Sequence, residues 1–229
     1  TAGAAPVPVS LIETYAAMGI EIHQVYGLTE TCGPACLISP DDALDRAGST
    51  GKEFFFTRVR VVNETGDDCG PDEPGEVLVK GPHIMVGYLN REDATAESIV
   101  DGWLRTGDVA VMDADGFVYI QDRVKDMIIS GGENVYPAEI ENAIFGMEGV
   151  NEVAVIGIPS EKWGESPLAV VVRADDSVTE DAVLDHVSGK LARFKQPKKV
   201  EFVDVIPRNP TGKVLKRVLR DQFADVSAE

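Results

Sequence analysis

The residues best suited to take part in chemistry lie in five short motifs with hydroxyl, acidic or basic side chains, and four of these motifs also contain glycine. In chain order these are YGLTE (26–30), GWLRTGD (102–108), DRVKD (122–126), SGGENVYP (130–137) and PRNPTGK (207–213). Carboxylates are hard oxygen donors suited to Mg²⁺, and glycine lets backbone approach a ligand closely. Each motif alone also fits an ordinary strand end followed by a turn.

A basic segment near the C-terminus points to an anionic ligand. The whole chain carries a formal charge of −18, but ten basic residues lie between Ser188 and Arg220, opposed only by Glu201 and Asp204. A basic segment on an acidic protein favours binding of an anion there. A solvated helix face followed by a tail is the alternative interpretation.

Several common enzyme classes are excluded because their characteristic motifs are absent from the sequence. A Walker loop needs glycine six residues before the lysine and Ser or Thr after it. That position holds Pro207 ahead of Lys213 and Arg46 ahead of Lys52. The sequence also lacks GxGxxG after a strand, HExxH and GxSxG, which argues against a dinucleotide fold, a zinc protease and a serine hydrolase of those types.

Composition is that of a globular protein with a buried core. Hydrophobic residues make up 44% of the 229 residues, and no apolar run approaches the roughly 20 residues of a membrane helix. Cys32, Cys36 and Cys69 fit neither a disulfide framework nor a zinc site, so free thiols in a reducing cytoplasm are expected. The chain begins without Met and with no signal-peptide pattern, which suggests a fragment or a processed product.

The elements that must position the motifs form two regions of mixed helix and strand. Residues 7–19 are predicted as a helix, 21–25 as a short strand and 31–50 as an irregular loop. Two hairpins follow, over 58–80 and 109–121. Beyond Asp122, Pro137 is predicted to begin a helix, and Thr179 is predicted to cap a second helix whose apolar stripe extends to Phe194. Strands are predicted at 153–158, 168–172 and 201–205. The fold class is therefore α+β, with regions 1–122 and 123–229.

The five motifs together resemble the adenylate-forming superfamily of acyl-CoA synthetases, luciferases and adenylation domains. The resemblance covers essentially the whole chain, and 126–139, 157–165 and 191–197 are most similar to actinobacterial long-chain fatty acyl-CoA synthetases. It implies that 1–122 is the C-terminal part of the large adenylation domain with a β-barrel-like subdomain, and that 123–229 is the small mobile domain. It also implies ATP, Mg²⁺ and CoA as cofactors.

The family reaction has two halves, and the resemblance assigns three residues to its chemistry. A carboxylate attacks the α-phosphate of ATP to give an acyl-adenylate and pyrophosphate, and a thiol then displaces AMP. Glu30 resembles the Mg²⁺ ligand, and Thr29 would hydrogen-bond phosphate oxygens. Lys213 resembles the catalytic lysine, whose ammonium lowers repulsion between two anions.

The same resemblance assigns four residues to binding of the nucleotide. Tyr26, followed by Gly27, would lie against the adenine ring. Asp108 resembles the carboxylate that accepts hydrogen bonds from the ribose hydroxyls. Arg123 resembles the partner that contacts ribose or phosphate.

Five further residues are assigned to backbone roles. Ala4 and Ala5 resemble the segment that lines the adenine ring. Gly131 and Gly132 would let backbone approach the pantetheine arm of CoA. Lys125 matches the hinge at which the small domain of the family rotates between two poses.

One family feature does not occur within these 229 residues. The Ser/Thr/Gly-rich loop that grips the β- and γ-phosphates is missing, together with most of the acyl pocket. The predicted function is thus a fatty acid–CoA ligase seen in part, impaired when isolated. The alternatives are an acyl-AMP ligase that loads a carrier protein, and a non-catalytic interaction module.

The expected partners follow from charge and from the resemblance. A fatty acid is the expected substrate, and nucleic acid is not an expected partner because an acidic surface repels it. The basic segment suits either the phosphates of CoA or an anionic membrane that supplies fatty acid. The expected location is therefore the cytoplasm, with peripheral membrane contact as an option.

Overall fold

The computed structural model describes residues 1–5, 7–210 and 212–228, and the chain forms two compact units. The N-terminal unit is Thr1–Val124 and the C-terminal unit is Lys125–Glu229. The division falls two residues after the predicted end of the first region at Asp122. A 3-10 turn, Val124–Asp126, spans the boundary.

The described residues of the N-terminal unit form two short helices, a 3-10 turn and eight strands. Its elements are α1 (Val9–Ala17), β1 (Val25–Leu28), the turn Thr29–Thr31, β2 (Gly33–Leu37), β3 (Lys52–Glu53), β4 (Arg58–Val62), β5 (Gly75–Lys80), α2 (Glu92–Ser98), β6 (Ile99–Val100), β7 (Trp103–Met112) and β8 (Val118–Arg123).

Two antiparallel sheets share the core of this unit. The first has the order β1-β2-β3, and the second has the order β4-β5-β7-β6 with β8 also paired to β7. Alternate residues of β4 and β5 face inward, as strand geometry requires, so Val59, Val61, Val77 and Val79 pack together with Tyr26. The core therefore lies directly behind the strand that carries the YGLTE motif.

In the C-terminal unit, the part of the chain that the structure describes forms three helices and five strands. Its elements are β9 (Ile128–Ser130), β10 (Glu133–Val135), α3 (Pro137–Phe145), β11 (Val150–Ser160), β12 (Gly164–Arg173), α4 (Glu180–Ser188), β13 (Lys199–Phe202) and α5 (Lys216–Gln222).

One sheet forms the centre of this unit, and both of its faces are buried. Strand β12 pairs antiparallel with β11 and parallel with β13. Val155 and Ala169 face α3 and α4, whereas Ile156 and Leu168 face the side that includes Leu219 of α5. Burial on both faces explains why β11 and β12 read as nearly continuous apolar runs rather than as alternating patterns.

Most of the predicted elements, and the α+β class, are confirmed. The helix at residues 7–19 appears as α1, and the first hairpin appears as β4 paired with β5. The second hairpin appears as β7 paired with β8. Pro137 is the first residue of α3, and the Thr179 hydroxyl accepts a hydrogen bond from Ala182 N at 3.3 Å at the start of α4.

The first part of the loop predicted at 31–50 was wrong, because β2 lies within it, whereas residues 38–50 do form a loop without helix or strand. Gly33 and Pro34 suggest a break, since proline lacks a backbone donor. In the structure Pro34 pairs with Gly27 next to a register shift between Tyr26 and Gly27. Proline is tolerated at such an irregularity, so the strand continues through Cys36.

Three predicted boundaries were also wrong. The strand expected at 21–25 begins only at Val25. Helix α4 ends at Ser188, and the stripe continues to Leu191 as non-helical chain that still packs in the core, whereas Phe194 is exposed. The strand expected at 201–205 spans Lys199–Phe202 instead.

No helix in the described parts of the chain is long and apolar enough to cross a lipid bilayer.

Candidate active site

The structure brings Tyr26, Asp108 and Arg123 together in the N-terminal unit. The Tyr26 hydroxyl donates to Asp108 Oδ2 at 2.7 Å, and Arg123 Nε donates to Asp108 Oδ1 at 3.2 Å. Asp108 on β7 and Arg123 on β8 are direct partners in the antiparallel pairing, which places their side chains side by side. The three residues predicted to contact adenine and ribose are therefore one connected group.

Burial of Tyr26 and Asp108 determines the protonation of the Tyr26 hydroxyl. Asp108 is only 6% exposed and Tyr26 only 9%. Burial, and then the nearby Asp108 carboxylate, raise the pKa of the Tyr26 hydroxyl far above its ordinary value. The phenol thus stays a hydrogen-bond donor at every working pH, and it holds the carboxylate in one position.

An irregularity in β7 aims Asp108 inward. Leu78 pairs with Arg105 and Glu76 pairs with Val109, so two extra residues of β7 are accommodated between those pairs. Gly107 takes φ +68°, a conformation that favours glycine. The TGD motif is thus a bulge, and bulges commonly re-aim side chains near functional sites.

Thr106 secures the bulge from within. Its hydroxyl donates to Val77 O at 2.8 Å and accepts from Asp108 N at 3.1 Å. The Gly107 N–H donates to Glu76 Oε1 at 3.2 Å. The backbone of the motif is therefore held by neighbouring β5.

The residues assigned to the adenine-lining segment run beside β1. Ala2 bridges Gln24 in parallel orientation, and a Cβ added at Gly3 would lie 2.7 Å from Val25 Cγ1. Ala4 follows with φ +73°, and both Ala4 and Ala5 are exposed. The structure places this segment next to the strand that carries Tyr26; its contact with adenine stays a prediction.

Gly27 is required by its own strand pair. A Cβ there would come within 2.4 Å of Gly33 O, a distance that real Cβ atoms do not reach. This close approach explains the glycine without a ligand, so its role in nucleotide binding stays a prediction.

Thr29 and Glu30 lie on the 3-10 turn that follows β1. Thr29 is exposed and Glu30 is half-buried. Leu28 N donates to the Thr31 hydroxyl at 2.9 Å, which closes the turn. The Glu30 carboxylate accepts a hydrogen bond from the Tyr88 hydroxyl at 2.9 Å on Oε1.

A single carboxylate such as Glu30 suits Mg²⁺ that arrives with a phosphate ligand. Within the described residues, no cluster of three or more His, Cys, Asp or Glu side chains could hold a metal ion. Mg²⁺ usually binds through one or two carboxylates plus substrate phosphates and water rather than in an all-protein cage. The residues present therefore fit a nucleotide-bound magnesium ion.

Lys213 lies in the C-terminal unit, on an exposed turn between Asn209 and α5. The turn is closed by Asn209 N donating to Lys213 O, and by Lys213 N donating to Asn209 Oδ1, both at 2.9 Å. Arg208 donates to Gly212 O at 2.8 Å. The backbone is thus fixed while the lysine side chain extends into solvent.

Gly131 and Gly132 form the tight turn between β9 and β10, with φ +63° and +86°. A Cβ at Gly131 would lie 2.8 Å from the Trp163 ring, and Gly131 N donates to Trp163 O at 2.8 Å. Nothing lies within 4 Å of a Cβ at Gly132. The turn and the indole account for these glycines, and contact with pantetheine stays a prediction.

Lys125 is exposed and is the first residue of the C-terminal unit. The next residue, Asp126, forms an ion pair with Arg220 of α5 at 2.7 Å. The chain is therefore anchored directly after Lys125. The hinge role of Lys125 stays a prediction.

Family models match both units. Residues 1–89 match the model described as AMP-binding enzyme, and residues 139–213 match the AMP-binding enzyme C-terminal domain. The chain belongs to the AMP-binding enzyme family. Its relatives in this adenylate-forming family include CoA ligases for several kinds of acid.

Two curated relatives illustrate that range. The chain is 51% identical over 222 residues to the long-chain-fatty-acid–CoA ligase FadD13 of Mycobacterium tuberculosis (strain ATCC 25618 / H37Rv), covering 97% of this chain and 44% of that protein. It is 46% identical over 222 residues to a feruloyl-CoA synthase of Amycolatopsis sp, covering 96% of this chain and 45% of that protein. The chain therefore spans less than half the length of these relatives.

A solved structure extends the likeness to the fold. The o-succinylbenzoate coenzyme A synthetase (MenE) of Bacillus subtilis, in complex with ATP and magnesium ion, superposes with a TM-score of 0.88 at 39% identity. The match covers 96% of this chain and 45% of that one.

Sequence reasoning did not single out Tyr88, whose hydroxyl contacts the predicted Mg²⁺ ligand Glu30. The residue lies in the segment GYLN (87–90), between the hairpin and α2, where no motif was assigned. Its hydroxyl contacts Glu30, 58 residues earlier. An isolated aromatic after glycine gives no signal of such a contact.

Proposed function

We propose that this chain carries the adenylate-binding part of an acid–thiol ligase that activates a fatty acid with ATP and transfers the acyl group to CoA. The single observation that carries the proposal is the connected group of Tyr26, Asp108 and Arg123. A fixed carboxylate is a suitable acceptor for the two hydroxyls of a ribose, and the guanidinium beside it suits ribose or phosphate oxygens.

In the first half-reaction, a fatty acid carboxylate oxygen bonds to the α-phosphorus while the bond from that phosphorus to pyrophosphate breaks. Lys213 would lower the repulsion between the attacking carboxylate and the phosphate. Glu30 would hold Mg²⁺, which supplies charge neutralisation on the phosphates when bound. Thr29, exposed beside it, would donate to phosphate oxygen.

In the second half-reaction, the thiol sulfur of CoA bonds to the acyl carbon, AMP leaves, and the thiol proton passes to solvent. This step does not require residues that bind the β- and γ-phosphates. The chain, which lacks the Ser/Thr/Gly-rich loop for those phosphates, should therefore be more impaired in the first half than in the second.

A long-chain fatty acid is the favoured substrate class. Identity is higher to the fatty-acid ligase, at 51%, than to the feruloyl-CoA synthase, at 46%. The competing substrate is an aromatic acid, and the two can be compared in one assay.

The test supplies each half-reaction separately. The chain is incubated with synthetic fatty acyl-AMP and CoA, and in parallel with Mg-ATP, CoA and either fatty acids of several lengths or ferulic acid. Products are identified by mass spectrometry, with protein-free samples as the background. We expect acyl-CoA from the adenylate, and little pyrophosphate release from ATP.

The controls separate the roles of the residues. Asp108→Asn should reduce turnover of acyl-AMP, whereas Tyr15→Phe, an exposed change on α1, should leave it unaltered. Lys213→Ala should abolish the residual adenylation activity with ATP. Acyl-AMP accumulating from ATP without CoA consumption would indicate an acyl-AMP ligase instead, and no product in either half-reaction would overturn the proposal.

A further inference from the structure

Three contacts from one segment converge on the turn that carries Glu30. We name residues 83–88 the clamp segment. His83 Nδ1 lies 2.7 Å from Thr31 O, Met85 N donates to Glu30 O at 2.9 Å, and the Tyr88 hydroxyl donates to Glu30 Oε1 at 2.9 Å. The segment thus fixes both the backbone and the side chain of the same residue.

The His83 ring is itself held through both of its nitrogens. A carbonyl oxygen can only accept, so Nδ1 carries a proton and donates to Thr31 O, while Nε2 lies 2.8 Å from the Thr57 hydroxyl. One end of the clamp segment is therefore anchored on the loop that precedes β4.

Helix α2 anchors the other end. Thr95 Oγ1 accepts from Tyr88 N at 2.9 Å and donates to Arg91 O at 2.8 Å. Gly87 packs against the same threonine, because a Cβ there would lie 2.8 Å from Thr95 Cγ2. Tyr88 therefore leaves a fixed backbone, which limits where its hydroxyl can be.

We propose that Tyr88 is a positioning residue for the magnesium site: by donating to Glu30 Oε1, it fixes the carboxylate so that Oε2 can bind the magnesium ion that accompanies ATP. The inference rests on the proposed function. Within the described residues, Oε2 accepts no hydrogen bond, so the two carboxylate oxygens have different surroundings.

The physical reason is preorganisation. A glutamate side chain has several rotamers, and ordering it on binding opposes metal affinity. A hydrogen bond from Tyr88 orders the Glu30 carboxylate before the metal binds. Tyr88 itself is 38% exposed and therefore lies close to solvent. Partners that orient a ligand in this way typically change metal affinity by about 10–100-fold when they are removed.

The experiment measures how strongly Mg²⁺ tightens ATP binding to this chain. The dissociation constant of ATP is determined by equilibrium dialysis in EDTA and in excess Mg²⁺, for the unchanged chain and for Tyr88→Phe. The ratio of the two constants isolates the contribution of magnesium. We expect Tyr88→Phe to reduce that ratio by about tenfold while binding in EDTA is unaltered.

Matched variants separate positioning from general structure. Tyr15→Phe, on exposed α1, should leave the ratio unchanged. Thr95→Val removes the hydroxyl that holds Tyr88 N and should lower the ratio, whereas Thr95→Ser keeps the hydroxyl and should restore it. Glu30→Gln combined with Tyr88→Phe should be no worse than Glu30→Gln alone, because Tyr88 acts through Glu30.

A second readout does not involve nucleotide. The carbon resonance of the Glu30 carboxyl group, assigned by NMR, should shift in Tyr88→Phe and stay in place in Tyr15→Phe. An unchanged resonance, or an unchanged magnesium ratio in a chain that does bind Mg-ATP, would overturn the inference alone. No ATP binding by the unchanged chain would also overturn the inference, whereas the proposed function is tested separately by the turnover of acyl-AMP.

Discussion

The Tyr26 hydroxyl donates to Asp108 Oδ2 at 2.7 Å across 82 residues of chain. The contact joins the edge of the β1-β2-β3 sheet to the bulge in β7, and both residues are buried. A phenol that belongs to the core thereby holds the carboxylate predicted to bind ribose. Stability and the predicted binding of ribose are thus expected to depend on the same pair.

Removal of this hydrogen bond should destabilise the N-terminal unit. Tyr26→Phe keeps the ring in the core but leaves the buried Asp108 carboxylate without one donor. Hydrogen bonds to charged groups contribute about 1.5–3 kcal/mol, so the free energy of unfolding should fall by that amount. Urea denaturation monitored by circular dichroism measures it, with exposed Tyr15→Phe as the control expected to change it by less than about 0.5 kcal/mol. Equal effects of the two variants would contradict the role of the contact.

Alkaline pH should destabilise the protein in a way that depends on Cys36. Burial raises the pKa of the Cys36 thiol from 9.0 to about 12. The folded state therefore keeps a proton that the unfolded state loses, so this stabilisation is full below pH 9 and is lost between pH 9 and 12. The expected slope is about 1.4 kcal/mol per pH unit for this proton, steeper above pH 10 because the pKa of Tyr26 is also raised.

Unfolding curves with reductant at pH 8, 9, 9.5 and 10 measure this slope. Cys36→Ala should lower stability at pH 8 by leaving a small cavity, but should reduce the fall between pH 9 and 10. The fall that remains is expected from Cys69, because burial raises the pKa of that thiol as well. Cys32→Ala, at an exposed thiol, should retain it. A flat profile in the unchanged chain would show that Cys36 is not protected.

The two glycines of the β9–β10 turn should respond differently to alanine. Both have positive φ, so each substitution costs about 1–2 kcal/mol of backbone strain. Gly131→Ala also forces a Cβ to 2.8 Å from the Trp163 ring, whereas Gly132→Ala meets nothing within 4 Å. Gly131→Ala should therefore lower the unfolding free energy of the C-terminal unit further, by about 1–3 kcal/mol.

The indole can be tested directly. Trp163→Ala combined with Gly131→Ala should recover most of the difference between the two glycine variants, because the clash is gone. If Gly131→Ala and Gly132→Ala had the same unfolding free energy, the indole contact would have no energetic consequence.

The Asp126–Arg220 ion pair should protect the chain just after Lys125. The Asp126 side chain is largely buried, and Arg220 Nη2 lies 2.7 Å from Oδ1. Arg220→Gln should cost about 1 kcal/mol and increase hydrogen exchange of the amides at 126–130. Arg217→Gln, on the exposed face of the same helix, is the control and should change neither.

A charge exchange gives the decisive comparison. Asp126→Arg combined with Arg220→Asp should recover part of the loss seen with Arg220→Gln if the pair itself is responsible. Rapid exchange at 126–130 in the unchanged chain would contradict the idea that this anchor is formed.

The elements whose signals are local could be predicted from the sequence. Pro137 fixes the first turn of α3, Thr179 caps α4, and alternating valines over 58–62 and 76–80 predict a hairpin, because each signal acts within a few residues. The five motifs, through their order, also determined the family. Local signals failed where packing overrode them: Pro34 lies within β2, and the apolar stripe at Leu191 stays buried after its helix has ended.

Which of the chemical groups contact each other depends on the tertiary structure. The pairing of Asp108 with Arg123 depends on the register of β7 and β8, and the meeting with Tyr26 depends on two sheets sharing one core. Tyr88 contacts Glu30, which lies 58 residues earlier in the chain. It can do so because Thr95 on α2 holds the backbone of Tyr88 in place. Such contacts join residues with no local pattern between them, so they follow from strand register and packing rather than from any sequence motif.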